Sequence, residues 1–421
     1  MTQFIFIDIF SGAGGTTTGA RASGVAKVVA AVNHDPVAIA SHTANHPDTV
    51  HFIEDIRTLH LGQLQHIVAT AKQCHPQALT VLWGSPDCTH FSRAKSGPKN
   101  RDTRSLAEEI PRYVSGLDVD IVMVENVQEF TSWGPLDDTG RPLSRHEGRD
   151  YTAWVASICA LGYQYQYRIL NAADYGAHTT RRRYFGLFHR PHVVPAWPQP
   201  THAKKPVRDG LFPDHRQPWR PVREVLEMHN HGRSIFARPK PLVDRTLRRL
   251  MDGLRKFAAA PQVMTCNSPG YCQPISQPVG AVTAAGHKAL VTPMLLKYYR
   301  TGTMVSTDDC APTVVACQKS YPLSIATAAR CAAPHWHATP GDTETMLELK
   351  KVMQSLGIGD IYLRMLNEAE LARIQGFPAG YILLGTSAHC KKQIGNAVVS
   401  YIPEAWLREM YEAQRSNFHC G

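Results

Sequence analysis

Through its first 190 residues the chain alternates short apolar runs with stretches of helical periodicity. FIFIDIF (4–10) is almost wholly apolar and runs into the glycine turn SGAGG and then a helical pattern. VVAAVN (28–33) is a second apolar run, and PVAIASHTANH (36–46) predicts a helix. HFIEDI (51–56), ALTVLWG (78–84), IVMVENV (121–127), YQYRILNA (165–172) and RYFGLFHR (183–190) continue the series. Runs this short, bounded by turn residues, predict buried strands. Strands separated by helices predict an α/β domain built on a mostly parallel sheet.

After residue 190 the pattern changes. PHVVPAWPQPTHAKKP is proline-rich and non-periodic, which suits a domain boundary. Two later stretches, 276–293 and 308–324, are weakly alike and predict a pair of β-rich units within one smaller domain rather than a repeat array. Helical patterns return at LNEAELARIQGFP (366–378) and at VSYIPEAWLREMYEAQR (399–415). The expected division is 1–190, 191–358 and 359–421.

A chain of 421 residues is long for one core, which agrees with more than one domain. Its formal net charge is +10, and segment 191–260 holds 14 Lys/Arg against 6 Asp/Glu. That excess suggests an acidic polymer partner, nucleic acid first. Trp197, Trp219 and Phe236 in the same segment favour a folded basic surface over disorder. The ten cysteines show no CxxC and no disulfide framework, and neither a signal peptide nor an 18-residue apolar run is visible. The expectation is a cytoplasmic protein without a membrane span. Cys310, Cys317, Cys331, His335 and His337 cluster late in the chain, but their spacing matches no standard zinc finger. Unpaired thiols and no metal are expected there.

Candidate chemistry lies where the strand patterns end. Asp8-Ile9-Phe10-Ser11-Gly12-Ala13-Gly14-Gly15 follows one strand and precedes one helix, so the backbone there can approach a ligand closely. The spacing departs from the dinucleotide fingerprint at Thr17, and no GK[ST] marks a triphosphate loop. A tight structural turn would leave the same trace. Asn33, Asp35 and Asp55 stand at or just beyond the next strand ends, as an adenosyl-bearing cofactor requires, although each could equally cap a helix. Cys88, within GSPDCTHFS, follows the fourth strand among polar neighbours. Glu125-Asn126 ends the fifth. A loop thiol beside a carboxyl from the neighbouring strand could attack a heterocycle while the carboxyl protonates it.

In the order DIFSGAGG, SPDCTHFS, ENV, RRR, LNEAELARIQGFP and QIGNAV, the chain resembles the carbon-5 cytosine-specific DNA methyltransferases of bacterial and phage type. The likeness implies a Rossmann-like catalytic domain over 1–190, a β-rich target-recognition domain over 191–358, and a segment, 359–421, that rejoins the first in space. It implies S-adenosylmethionine as cofactor, held by Phe10, Ser11, Gly12, Gly14, Gly15, Asn33, His34, Asp55, Ile56, Pro86, Asn396 and Val398. Asn33 stands where the family commonly has a ribose-binding carboxylate. Cys88 would be the nucleophile on carbon-6, Glu125 the proton donor to ring nitrogen-3, and Asn126 would help to fix the cysteine loop. One of Arg181 and Arg183 would reach the flipped base's carbonyl or the flanking phosphate, and Arg104 would stand behind the cysteine loop in a structural role. Thr179 replaces the family's Gln in the arginine motif, Asp87 its proline before the cysteine, and Thr89 the usual amide after it. The implied partner is double-stranded DNA, with the enzyme acting as a monomer on an extruded cytosine. A tRNA cytosine-5 methyltransferase and a catalytically silent DNA-binding paralogue are the competing readings. The first carries a Cys-Phe-Thr insertion that is not visible here.

Overall fold

The computed structural model describes residues 3–86, 105–135, 137, 143, 148–207, 214–230, 232–257, 262–265, 271–283, 288–297, 303–306, 337–356 and 358–419. Two compact units emerge: 1–220 with 280–284 and 371–421, and 221–279 with 285–370.

The first unit is built on a seven-stranded sheet in the order β3-β2-β1-β4-β5-β7-β6. The strands are β1 (Phe4–Ile9), β2 (Ala26–Asn33), β3 (Val50–Ile53), β4 (Leu79–Gly84), β5 (Ile121–Asn126), β6 (Gln164–Asn171) and β7 (Arg182–His189). Neighbours from β3 across to β5 pair in parallel, whereas β7 runs antiparallel to both β5 and β6. Each apolar run of the sequence coincides with one strand to within a few residues. β1 and β5 are buried along their whole length because the sheet is covered on both faces. Ile5, Ile7 and Ile9 enter one core, and Phe4 and Phe6 enter the other.

The helices of this unit are α1 (Gly15–Ala22), α2 (Pro36–Asn45), α3 (Gly62–Cys74), α4 (Ile110–Leu117) and α5 (Arg149–Cys159). The Asp35 carboxylate caps α2 by accepting from the Val37 and Ala38 N–H groups, and Pro36 fills the first helical position. The C-terminal helix Tyr401–His419 lies against α1, its Trp406 stacked on Trp197 at 4.6 Å between ring centres. Val193 and Trp197 belong to this core, so residues 191–220 group with the first unit rather than starting the second.

The second unit contains a six-stranded sheet. Its longest strands, Lys288–Lys297 and Ile358–Met365, pair antiparallel, and the latter carries the unit past residue 358. Helices Asp244–Phe257 and Glu344–Ser355 bury Leu247, Leu250, Leu254, Leu349 and Met353 in one cluster. Arg245, Arg248, Arg255 and Lys256 lie on the exposed face of the first of these helices. The second β-rich stretch of the sequence, 308–324, falls outside the described residues. Among the described residues, no helix is long and apolar enough to cross a membrane.

Candidate active site

The carboxyl ends of the parallel strands open onto a cleft of about 240 Å³ within the first unit. Phe10, Ser11, Gly12, Asn33, His34, Pro86, Asn396 and Val398 line it, and Glu125 and Arg181 face the same space. A second cavity of about 140 Å³ shares Phe10, Asn33 and His34 with the cleft and adds Asp55 and Ile56. Gly14 and Gly15 line neither. A Cβ on Gly14 would stand 2.6 Å from Tyr381 Oη, and one on Gly15 would stand 2.4 Å from the Val398 carbonyl oxygen. Both admit the C-terminal segment to the back of the loop.

The loop borders open space at the end of β1. Phe10 leaves β1 at φ 63, a left-handed conformation that a bulky side chain adopts only under constraint. That turn brings Phe10 into the lining of both cavities. A Cβ added at Gly12 would meet nothing within 4 Å, so the space above the loop is open to a bound group. Asp55 accepts hydrogen bonds from the Arg57 guanidinium and N–H, which hold its carboxyl down at about 2.

At the other end of the cleft, Glu125 is buried and lies 3.4 Å from the Arg183 Nε. Burial pushes its carboxyl above the usual range, outweighing the opposing influence of Arg183 and Arg181. Arg181 is itself buried and donates to the carbonyl oxygens of Val282 at 3.2 Å and Gly395 at 3.1 Å. Asn126 donates to the Pro86 carbonyl at 3.3 Å, tying the end of β5 to the start of the cysteine loop. Cys88 lies outside the described residues, as do Asp87, Thr89, Arg104, Cys310, Cys317, Cys331 and His335. His337 is described, and its carbonyl accepts from the Lys350 ammonium.

Asp35, a strand-end candidate of the sequence, lines the cleft, and so do Ser85, Leu106, Lys392 and Gln393, which were not expected as site residues. Gln393 opens the QIGNAV motif and Lys392 directly precedes it, and that adjacency was the available signal. Beneath the glycine loop lies a polar row with no sequence signature. The Thr17 hydroxyl meets Asp8 Oδ2 at 2.8 Å and His42 Nε2 at 3.0 Å, while His42 Nδ1 meets His51 Nε2 at 2.8 Å. From the C-terminal segment, the Tyr381 hydroxyl donates to the Ala13 carbonyl at 2.6 Å.

A family model described as C-5 cytosine-specific DNA methylase matches residues 4–238 and 297–412. The chain is 27% identical over 230 residues to the type II methyltransferase M.AquIA of Picosynechococcus, covering 52% of this chain and 86% of that protein. It is also 27% identical over 238 residues to the type II methyltransferase M.SacI of Streptomyces achromogenes, covering 52% of this chain and 56% of the relative. Against DNA (cytosine-5)-methyltransferase 3 of Arabidopsis thaliana it is 24% identical and spans 17% of that longer protein. The fold is like that of the S. pombe Dnmt2 methyltransferase, with a TM-score of 0.53, 15% identity, and coverage of 98% of this chain and 99% of that one.

Proposed function

Because this chain belongs to the C-5 cytosine-specific DNA methylase family, we propose that it transfers a methyl group from S-adenosylmethionine to carbon-5 of a cytosine extruded from duplex DNA. The observation that carries the reading is a buried carboxyl, Glu125, facing the same cleft as the adenosyl-binding candidates. Its raised pKa favours the protonated form, the form able to donate to ring nitrogen-3.

Phe10, Ser11, Gly12, Asn33, His34, Asp55, Ile56, Pro86, Asn396 and Val398 would hold S-adenosylmethionine, which when bound supplies an electrophilic methyl group. The Cys88 thiolate would add to carbon-6 of the ring, making carbon-5 nucleophilic, while Glu125 donates to nitrogen-3. Arg183, beside Glu125, would meet the base carbonyl or a flanking phosphate, and Arg181 would brace that arginine strand. Loss of the carbon-5 proton then expels the thiolate. Asp87 next to the thiol would raise its pKa unless paired, slowing the attack without changing its course. The basic segment 191–260 would contact phosphates, so affinity for DNA should fall steeply with salt. The second unit, 221–279 with 285–370, would choose the target sequence, and the enzyme would act as a monomer.

Transfer of labelled methyl groups to duplex DNA, followed by bisulfite mapping, tests the reading. The wild type should label cytosines in DNA and Cys88→Ala should label none. Labelling of RNA alone would favour a tRNA methyltransferase, and DNA binding without labelling would favour a silent paralogue.

A further inference from the structure

A carboxylate and an ammonium meet in the lining of the cleft. Asp35 stands at the start of α2, and Lys392, on the helix Ser387–Asn396, reaches it with Nζ 3.1 Å from Oδ2. Both line the cleft. The pair joins two stretches of chain more than 350 residues apart, and Lys392 was not expected from the sequence to contact a ligand.

The acceptor capacity of this wall is unevenly spent. Asn33 lines both cavities, so a ligand that occupies both must pass it. Its side-chain carbonyl accepts the Asp35 N–H at 2.9 Å and keeps one lone pair, but as an uncharged amide it is a weaker acceptor than a carboxylate. Asp35 Oδ1 is committed to the Val37 and Ala38 N–H groups. Oδ2 meets the Lys392 ammonium and keeps a lone pair to spare. Lys392 in turn has donors beyond the one directed at Asp35. Burial pushes the Asp35 carboxyl up, but the hydrogen bonds from Lys392 and the helix N–H groups outweigh it and keep the group ionised.

We propose that Asp35 and Lys392, rather than Asn33, form the site that recognises the vicinal diol of the cofactor's ribose. The two hydroxyl protons of a diol need acceptors, and Asp35 Oδ2 is the next one along the turn from Asn33. Lys392 donates to the hydroxyl oxygens and holds the carboxylate towards them. The assignment rests on the adenosyl cofactor of the proposed function.

Calorimetric binding of S-adenosylhomocysteine and of its 2′-deoxy analogue tests it without reference to turnover. Wild type should bind the ribose compound about tenfold or more tightly than the deoxy compound, as expected for charge-assisted hydrogen bonds. Asp35→Asn, which still caps α2, and Lys392→Met should each weaken the ribose compound by about tenfold and leave the deoxy compound nearly unchanged. Asn33→Ala should keep the preference for ribose. Equal weakening of both compounds in the Asp35 and Lys392 variants would show that the pair reads another part of the ligand, and would overturn the proposal. Unchanged binding in both variants would also overturn it, leaving the reading of the cleft intact. Failure of the wild type to bind either compound would overturn both.

Discussion

Asp8 and Glu125 are each the penultimate residue of a parallel strand, and both are buried. Burial raises both carboxyls, Asp8 to about 7. They differ in what lies across from them. Asp8 is roofed by α1, where its Oδ2 meets Thr17 and its Oδ1 has no hydrogen-bond partner among the described residues. Glu125 faces an open cleft with Arg183 beside it. The same desolvation therefore acts on a support under the glycine loop in one place and, in the proposed reaction, on the proton donor in the other. A perturbed pKa marks a buried acid, and access to a ligand decides whether that acid takes part in chemistry.

The largest effect should come from Glu125→Gln, which keeps the shape and removes the acidic proton. Methyl transfer should fall by about 10²- to 10⁴-fold, while binding of S-adenosylhomocysteine stays near wild type. If the carboxyl acts protonated, wild-type turnover should decline as pH rises through its raised pKa, and the residual rate of the Gln variant should not follow that decline.

Asp8→Asn should act on stability instead. The folded carboxyl titrates near 7, above its ordinary 3.8, so the folded state holds a proton that the unfolded state releases between these values. Wild type should therefore lose stability relative to the Asn variant as pH rises from about 4 to about 7. The full difference is on the order of 4 kcal/mol and can be followed by denaturant unfolding of both proteins. His42, pushed down to about 2, and His46, pushed down to about 4, both chiefly by burial, work the other way. They withdraw stability from both proteins alike as pH falls below 6.5, and so cancel in the comparison.

Thr17→Val should cost about 1–3 kcal/mol, because buried Asp8 then loses the hydroxyl donor and keeps only the backbone N–H of residue 17. The smallest effect is expected from Tyr381→Phe, which frees the Ala13 carbonyl from its clamp. One neutral hydrogen bond of about 1 kcal/mol corresponds to roughly fivefold in KM for S-adenosylmethionine, with kcat little changed. A fall in kcat with KM unchanged would separate Tyr381 from the cofactor loop.

Much of this protein is legible along the chain. The seven runs anticipate the seven strands of the large sheet, most clearly at the central strands β1 and β5, which are covered on both faces and buried throughout. Where those runs end also marks Phe10, Asn33, Asp55 and Glu125, since a side chain at the carboxyl end of a parallel strand stands at the open edge of the sheet. Only the tertiary structure decided the rest. It set β7 between β5 and β6, brought Lys392 to Asp35 and Tyr381 to Ala13, and held Arg181 by the carbonyls of Val282 and Gly395. It also set Gly14 and Gly15 behind the loop, against the C-terminal segment, where the sequence pattern suggested a cofactor lining. Periodicity and turn chemistry are local signals, decided within a few residues. Contacts across hundreds of residues depend on which surfaces pack together, and that choice leaves no periodic trace in the chain.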